Sequence, residues 1–175
     1  MINRIYLVED KSENMNNIVQ KLNAISQEKN TAECQFEFIP LRGTVENECD
    51  GQNFCFYEDG VVTQIEETIH AEEMQEGHRM CILLDIYLTK DDFSQKTSGS
   101  HAGADLAKKI YLNFREKIPI YIITDAPWFA TKCDVIMGID LSEQFIPKNA
   151  LLRYELEEDI DALFDFYQKE IVENA

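Results

Sequence analysis

Met80-Cys81-Ile82-Leu83-Leu84 is an apolar run without alternation, closed by one acid, Asp85. A strand with one wet face alternates polar and apolar residues. A run with no polar members predicts a strand covered on both faces, as in the middle of a parallel sheet flanked by helices. Nothing else in the chain constrains the fold as strongly, because both covers must come from other segments. Asp85 then emerges at the carboxyl end of its strand, where open parallel α/β sheets hold their ligands.

The flanking segments supply the covers. Arg4 to Val8 reads as a first buried strand ending in Glu9-Asp10. Met15, Ile18, Val19, Leu22 and Ile25 recur at helical spacing, with Ser12 as the expected cap. Gln35 to Leu41 reads as a second strand. From Arg42 to Val62 the pattern dissolves into Gly, Asn, Asp and Cys, and Asn53 to Val62 predicts a hairpin turning at Asp59-Gly60. Thr63-Gln-Ile-Glu66 fits a capping box for a helix carrying Ile65 and Ile69 on one side.

Beyond Leu88, the polar stretch Thr89 to His101 predicts a long mobile loop over the crevice. Gly103, Leu106, Ala107, Ile110 and Phe114 mark a further helix, and Pro119 to Ile123 a strand ending at Thr124. Asp125 and Pro127 begin another helix, with Pro in the first turn. Glu143 to Pro147 is a short last strand ahead of Lys148. Leu152, Leu156, Ile160, Leu163, Tyr167 and Ile171 face one way on a C-terminal helix. The order predicts one α/β domain over residues 1–175, a doubly wound five-stranded parallel sheet flanked by helices. A hairpin at about 42–62, after the second strand, and the 89–101 loop elaborate it.

Charge narrows the function. With 33 acidic against 16 basic side chains the net charge is -17, which repels nucleic acid phosphates and anionic lipid headgroups. Direct nucleic acid or membrane binding is therefore not expected. No apolar run is long enough to span a bilayer, and Met1-Ile2-Asn3-Arg4 enters a strand without a signal-peptide profile, so a cytoplasmic location is expected. The five cysteines include no CxxC pair, which argues against thiolate-metal and disulfide frameworks. Cys81 reads as a small buried apolar residue, and Cys49 and Cys55 as members of a polar loop. His70, His78 and His101 share no spacing and read as surface residues, none of them a phosphotransfer histidine; Trp128 reads as core.

Parallel strands bring their ends together, here Glu9 and Asp10, Asp85, Thr124 and Lys148. Singly, each has an ordinary explanation: a strand-end or helix-cap acid, a β-branched filler, a solvated lysine. Jointly they describe a site. Three carboxylates within about 4–6 Å repel by several kcal/mol per pair at an effective dielectric near 20, so the group calls for a cation. Hard oxygen donors in a small site suit Mg²⁺, and Lys148 adds a positive charge without filling the metal position. A carboxylate nucleophile, a metal, a hydroxyl and a lysine are the parts of aspartyl-phosphate chemistry.

These residues resemble the receiver domain of two-component response regulators over nearly the whole chain. Ile5-Tyr-Leu-Val-Glu-Asp10 is similar to the family's first strand and acidic pair, Leu83-Leu-Asp85 to its phosphoacceptor strand, and Ile122-Ile-Thr124 to its switch hydroxyl. Phe145-Ile-Pro-Lys148 is similar to its last strand, with the switch aromatic three positions before the lysine, and Gly103 to Ile110 to its third helix. The resemblance implies a flavodoxin-like fold, with Mg²⁺ held by Asp10, by Glu9 partly through water, by Asp85 and by the backbone carbonyl of Tyr87. It implies phosphorylation of Asp85 by a histidine kinase or phosphotransfer protein, contact of Lys148 with the phosphoryl group, and inward movement of Thr124 with rotation of Phe145. The altered face would then bind a downstream protein. The chain departs from the family in its two long insertions, in Asp125 where a small residue is usual, and in Asn149 where proline follows the lysine.

Three other readings compete. A pseudo-receiver would signal through the same fold without phosphate. A hydrolase of the haloacid-dehalogenase type would need Asp-x-Asp, whereas the chain has Asp85-Ile86-Tyr87, so enzymatic turnover is not expected. A nucleotide or flavin binder would need a phosphate-cradling glycine loop after the first strand, and none is present.

Overall fold

The computed structural model describes residues 2–32, 35–49, 51–57, 63, 65, 67–71, 78–90, 101–114, 118, 120–124 and 145–147. Its elements in chain order are β1 (Ile2–Val8), α1 (Ser12–Lys29), β2 (Gln35–Leu41), β3 (Val45–Cys49), β4 (Gln52–Phe56), β5 (His78–Leu84), α2 (Ala102–Phe114), β6 (Ile120–Thr124) and β7 (Phe145–Pro147). A parallel sheet runs in the order β2-β1-β5-β6, with the short β7 paired parallel to β6 at its edge. The uninterrupted apolar run lies in β5, the middle strand, and Cys81, Ile82, Leu83 and Leu84 are all fully buried.

Strand alternation divides that burial between two faces. Ile82 and Leu84 join Tyr6, Val8, Ile120 and Ile122 in one core with Leu106, Ala107 and Ile110 of α2, and Ile65 and Ile69 complete this layer. Residues 67–71 are helical, as are Thr63 and Ile65, in agreement with a helix carrying Ile65 and Ile69 on one side; Glu66 of the expected capping box lies outside the described residues. The intervening strand residues Ile5, Leu7, Cys81, Leu83, Tyr121 and Ile123 are buried as well. Met15, Ile18 and Leu22 form the buried stripe of α1, which packs against β1 and β2.

The path of the chain fixes where a site can form. From β1 it crosses through α1 to β2 on one side; from β5 it crosses through α2 to β6 on the other. Two crossovers that step in opposite directions leave a crevice between their first strands, at the carboxyl ends of β1 and β5.

The structure adds to one local expectation and corrects another. The hairpin after β2 turns between the paired Cys49 and Gln52, a turn the sequence reading did not place. Val45-Glu-Asn-Glu-Cys49 is too polar to read as a strand alone. Gly51 at φ 73° supplies the left-handed backbone that a tight hairpin turn requires, and stacking of Phe54 on Phe56 at 5.3 Å gives the return strand its apolar side. The turn expected at Asp59-Gly60 lies outside the described residues, as do all of 58–62. Ser12 is the first residue of α1 and not its cap: the cap position is Lys11, held extended by a bridge to Phe54, with no side-chain cap bond.

Candidate metal centre

The three strands that define the crevice end level. Val8 pairs with Leu41 on one side and Leu84 on the other, and the Asp85 N–H donates to the Val8 carbonyl at 2.9 Å, extending the ladder by one step. Glu9 and Asp10 follow Val8 directly, so the acids of β1 and the acid of β5 emerge side by side. Their carboxylate oxygens lie within 4.8 Å of one another. All three residues are buried, at 1%, 3% and 1% exposure for Glu9, Asp10 and Asp85.

Such a grouping is costly without compensation, because like charges held out of water repel and have lost their hydration. Part of the compensation is visible. Glu9 Oε1 accepts the Lys11 backbone N–H at 3.1 Å and the Asn14 amide at 3.3 Å, and Asp85 Oδ1 accepts the Ile86 N–H at 2.7 Å. Glu9 Oε2 and Asp10 Oδ2 are sealed from solvent. Three convergent, buried carboxylates and no sulfur or imidazole in the group fit a hard divalent cation.

The loop after Asp85 is packed against α2. Gly103 lies so close that a Cβ there would stand 2.0 Å from the Asp85 carbonyl oxygen, and its N–H donates to the Ile86 carbonyl at 3.2 Å. Sequence reasoning placed Gly103 on the apolar stripe of the helix; the close backbone approach is what requires a glycine. Tyr87, half-buried, sets its ring edge-on to His101 at a centroid distance of 4.9 Å. His101 is corrected from a surface residue: it is 1% exposed, because it ends the loop against Tyr87 and its carbonyl accepts the first helical bond from Asp105. His70 is exposed as expected.

Thr124 ends β6, buried at 1% exposure, two residues beyond Ile122, the partner of Leu84. Phe145 is placed by its backbone, paired with Ile122 in β7. Its side chain lies outside the described residues, as do Lys148, Asp125, Trp128, most of the 89–101 loop and the helix read over 152–171. Among the described residues no helix is long and apolar enough to cross a membrane.

Sequence reasoning missed Tyr57. It follows β4, is 2% exposed, and its phenol O–H reaches the carbonyls of Leu41 and, at 3.4 Å, Glu9. Burial above all, with the nearby Glu9, Cys55 and Asp10 charges, pushes that phenol well above its ordinary range, so it stays protonated. The signal available was Phe54-Cys-Phe-Tyr57, too apolar for an exposed insertion. Comparison of the chain with protein-family models, curated proteins and solved structures gives no match.

Proposed function

We propose that this chain is a receiver-type phosphorylation switch of doubly wound, flavodoxin-like architecture, with Asp85 as phosphoacceptor. One observation carries the reading: three buried acid side chains from adjacent strand ends, their oxygens within 4.8 Å, at the point where the crossovers of a parallel sheet diverge. Glu9, Asp10, Asp85 and the Tyr87 carbonyl would hold Mg²⁺, which when bound neutralises the acids and polarises phosphoryl oxygens.

The remaining chemistry belongs to the chain. A carboxylate oxygen of Asp85 bonds to phosphorus as the donor's bond to phosphorus breaks, the electron pair leaving with the donor. A phosphohistidine of a kinase or phosphotransfer protein, or a small acyl phosphate, is a suitable donor. The Thr124 hydroxyl binds the new phosphoryl group, Lys148 contacts it, and Phe145 moves with Thr124 to remodel the face offered to a downstream protein. The chain acts in the cytoplasm and turns over no separate substrate.

The test is intact mass after incubation with Mg²⁺ and acetyl phosphate. A gain of one phosphoryl group in the wild type, absent in Asp85→Asn and abolished by chelation, is the expected result. No gain, together with no binding of beryllofluoride, overturns the reading. A phosphate-independent interaction module of the same fold is the second reading. It is favoured by Asp85 turning one oxygen onto its own Ile86 N–H while 1% exposed.

A further inference from the structure

The inserted hairpin does more than decorate the sheet. Its return strand, with the residue that follows it, bonds to the segments at the carboxyl ends of three neighbouring strands. The Cys55 N–H donates to the Asp10 carbonyl at 2.6 Å, and the Tyr57 N–H donates to the Leu88 carbonyl at 2.8 Å. The Tyr57 phenol donates to the Leu41 carbonyl and lies 3.4 Å from that of Glu9. Leu41 ends β2, Glu9 and Asp10 follow β1, and Leu88 belongs to the loop after β5, so the contacts tie together three adjacent strands of the sheet, with Tyr57 reaching the outer two.

We propose that residues 55–57 form a strap that positions the acids for a divalent cation, with Tyr57 as its positioning residue. The direction of a carboxylate follows from the peptide planes on either side of it. Fixing the carbonyls of Glu9 and Asp10 therefore aims both side chains, against a mutual repulsion that would otherwise splay them. The loop carrying Asp85 and the Tyr87 carbonyl is pinned at both ends, by the Asp85 N–H on Val8 and by Tyr57 on Leu88. Groups that orient metal ligands from behind typically change affinity by about 10–100-fold when removed. The strap rests on the phosphorylation-switch reading for its cation and extends it to a segment for which the family resemblance offers no counterpart.

Tyr57→Phe keeps the buried ring and removes only the hydroxyl. The experiment titrates Mg²⁺ into the full chain by calorimetry for the wild type, Tyr57→Phe and Ile18→Val, with thermal unfolding and phosphoryl uptake from acetyl phosphate measured alongside. Ile18 is buried on α1 and makes none of the strap contacts, so its variant lowers stability without touching them. Tyr57→Phe is expected to weaken Mg²⁺ binding roughly tenfold while uptake at saturating Mg²⁺ stays within about twofold. Ile18→Val is expected to leave the Mg²⁺ dissociation constant unchanged. Equal Mg²⁺ affinity in Tyr57→Phe and wild type overturns the strap, as does an equal loss in Ile18→Val, which would make the effect one of stability. Wild type that binds Mg²⁺ but takes up no phosphoryl group overturns the switch alone, the affinity comparison still deciding the strap. Wild type that binds no Mg²⁺ overturns both.

Discussion

The centre of the sheet and the inserted hairpin are held by different forces. β5 sits between β1 and β6 with Cys81 to Leu84 fully buried, held by apolar burial and an unbroken ladder. The hairpin exposes Glu46 and Glu48 and is fastened through backbone carbonyls at residues 10, 41 and 88, with Phe54, Phe56 and Tyr57 beneath it. One region sets whether the chain folds; the other sets how the acid-bearing loops are aimed. Substitutions should separate the two.

The largest effect belongs to the sheet. Leu83→Ala removes a fully buried side chain from the central strand and is expected to cost about 2–5 kcal/mol in denaturant unfolding. Asn53→Ala, exposed on the hairpin, is expected to stay within about 0.5 kcal/mol. Comparable losses at the two positions would erase the division.

Next comes the seam between sheet and site. Gly103→Ala sets a methyl 2.0 Å from the Asp85 carbonyl, a contact only backbone movement relieves, and is expected to cost about 1–3 kcal/mol. Because the displaced loop carries Asp85, Mg²⁺ affinity should fall with it. Unchanged affinity in a destabilised protein would show that α2 and the acids move independently.

At the acids themselves the sign reverses. Asp10→Asn removes one of three crowded negative charges and is expected to raise stability without metal, on the order of 1–2 kcal/mol. The same variant should lose the stabilisation that Mg²⁺ gives the wild type, since binding to the native state alone is what produces it. Thermal unfolding with and without Mg²⁺ reads both arms. A variant destabilised in both conditions would assign Asp10 a purely structural role.

The sheet was legible because its signals are local and redundant. Five consecutive apolar residues at Met80 to Leu84 and the stripe of Met15, Ile18 and Leu22 each specify burial without reference to anything distant. The acids were legible by position, since parallel strands force their ends together. What the sequence concealed depends on contacts between distant segments. Tyr57 reaches Glu9, 48 residues away in the chain, and Gly103 is required by the Asp85 carbonyl and not by its own helix. His101 read as a surface residue because it shares no spacing with the other histidines, yet it packs against Tyr87 and is buried. The outgoing hairpin strand was hidden because Val45-Glu-Asn-Glu-Cys49 is mostly polar, its partner strand supplying the apolar side.

The smallest effect compares the two regions through their thiols. Cys81 lies inside β5, and burial pushes its thiol far above the ordinary range. Cys55 lies on β4, donating to the Gly43 carbonyl; partial burial raises its thiol, the Glu46 charge adds to that, and Arg42 opposes it. Both thiols are harder to ionise in the folded chain than in the unfolded one. Their stabilisation is therefore complete below the unfolded thiol value of about 8.5 and declines as the pH rises toward the folded value, because only the unfolded state then loses protons. Each such thiol contributes a slope of up to about 1.4 kcal/mol per pH unit in that window. Denaturant unfolding between about pH 8 and pH 10 should show Cys81→Ala flattening the alkaline decline at any salt concentration. Cys55→Ala should flatten it less, and by an amount that added salt reduces, since charge as well as burial sets its thiol. Equal, salt-independent effects would mean that the hairpin excludes water as fully as the sheet does, and that the two regions form one core.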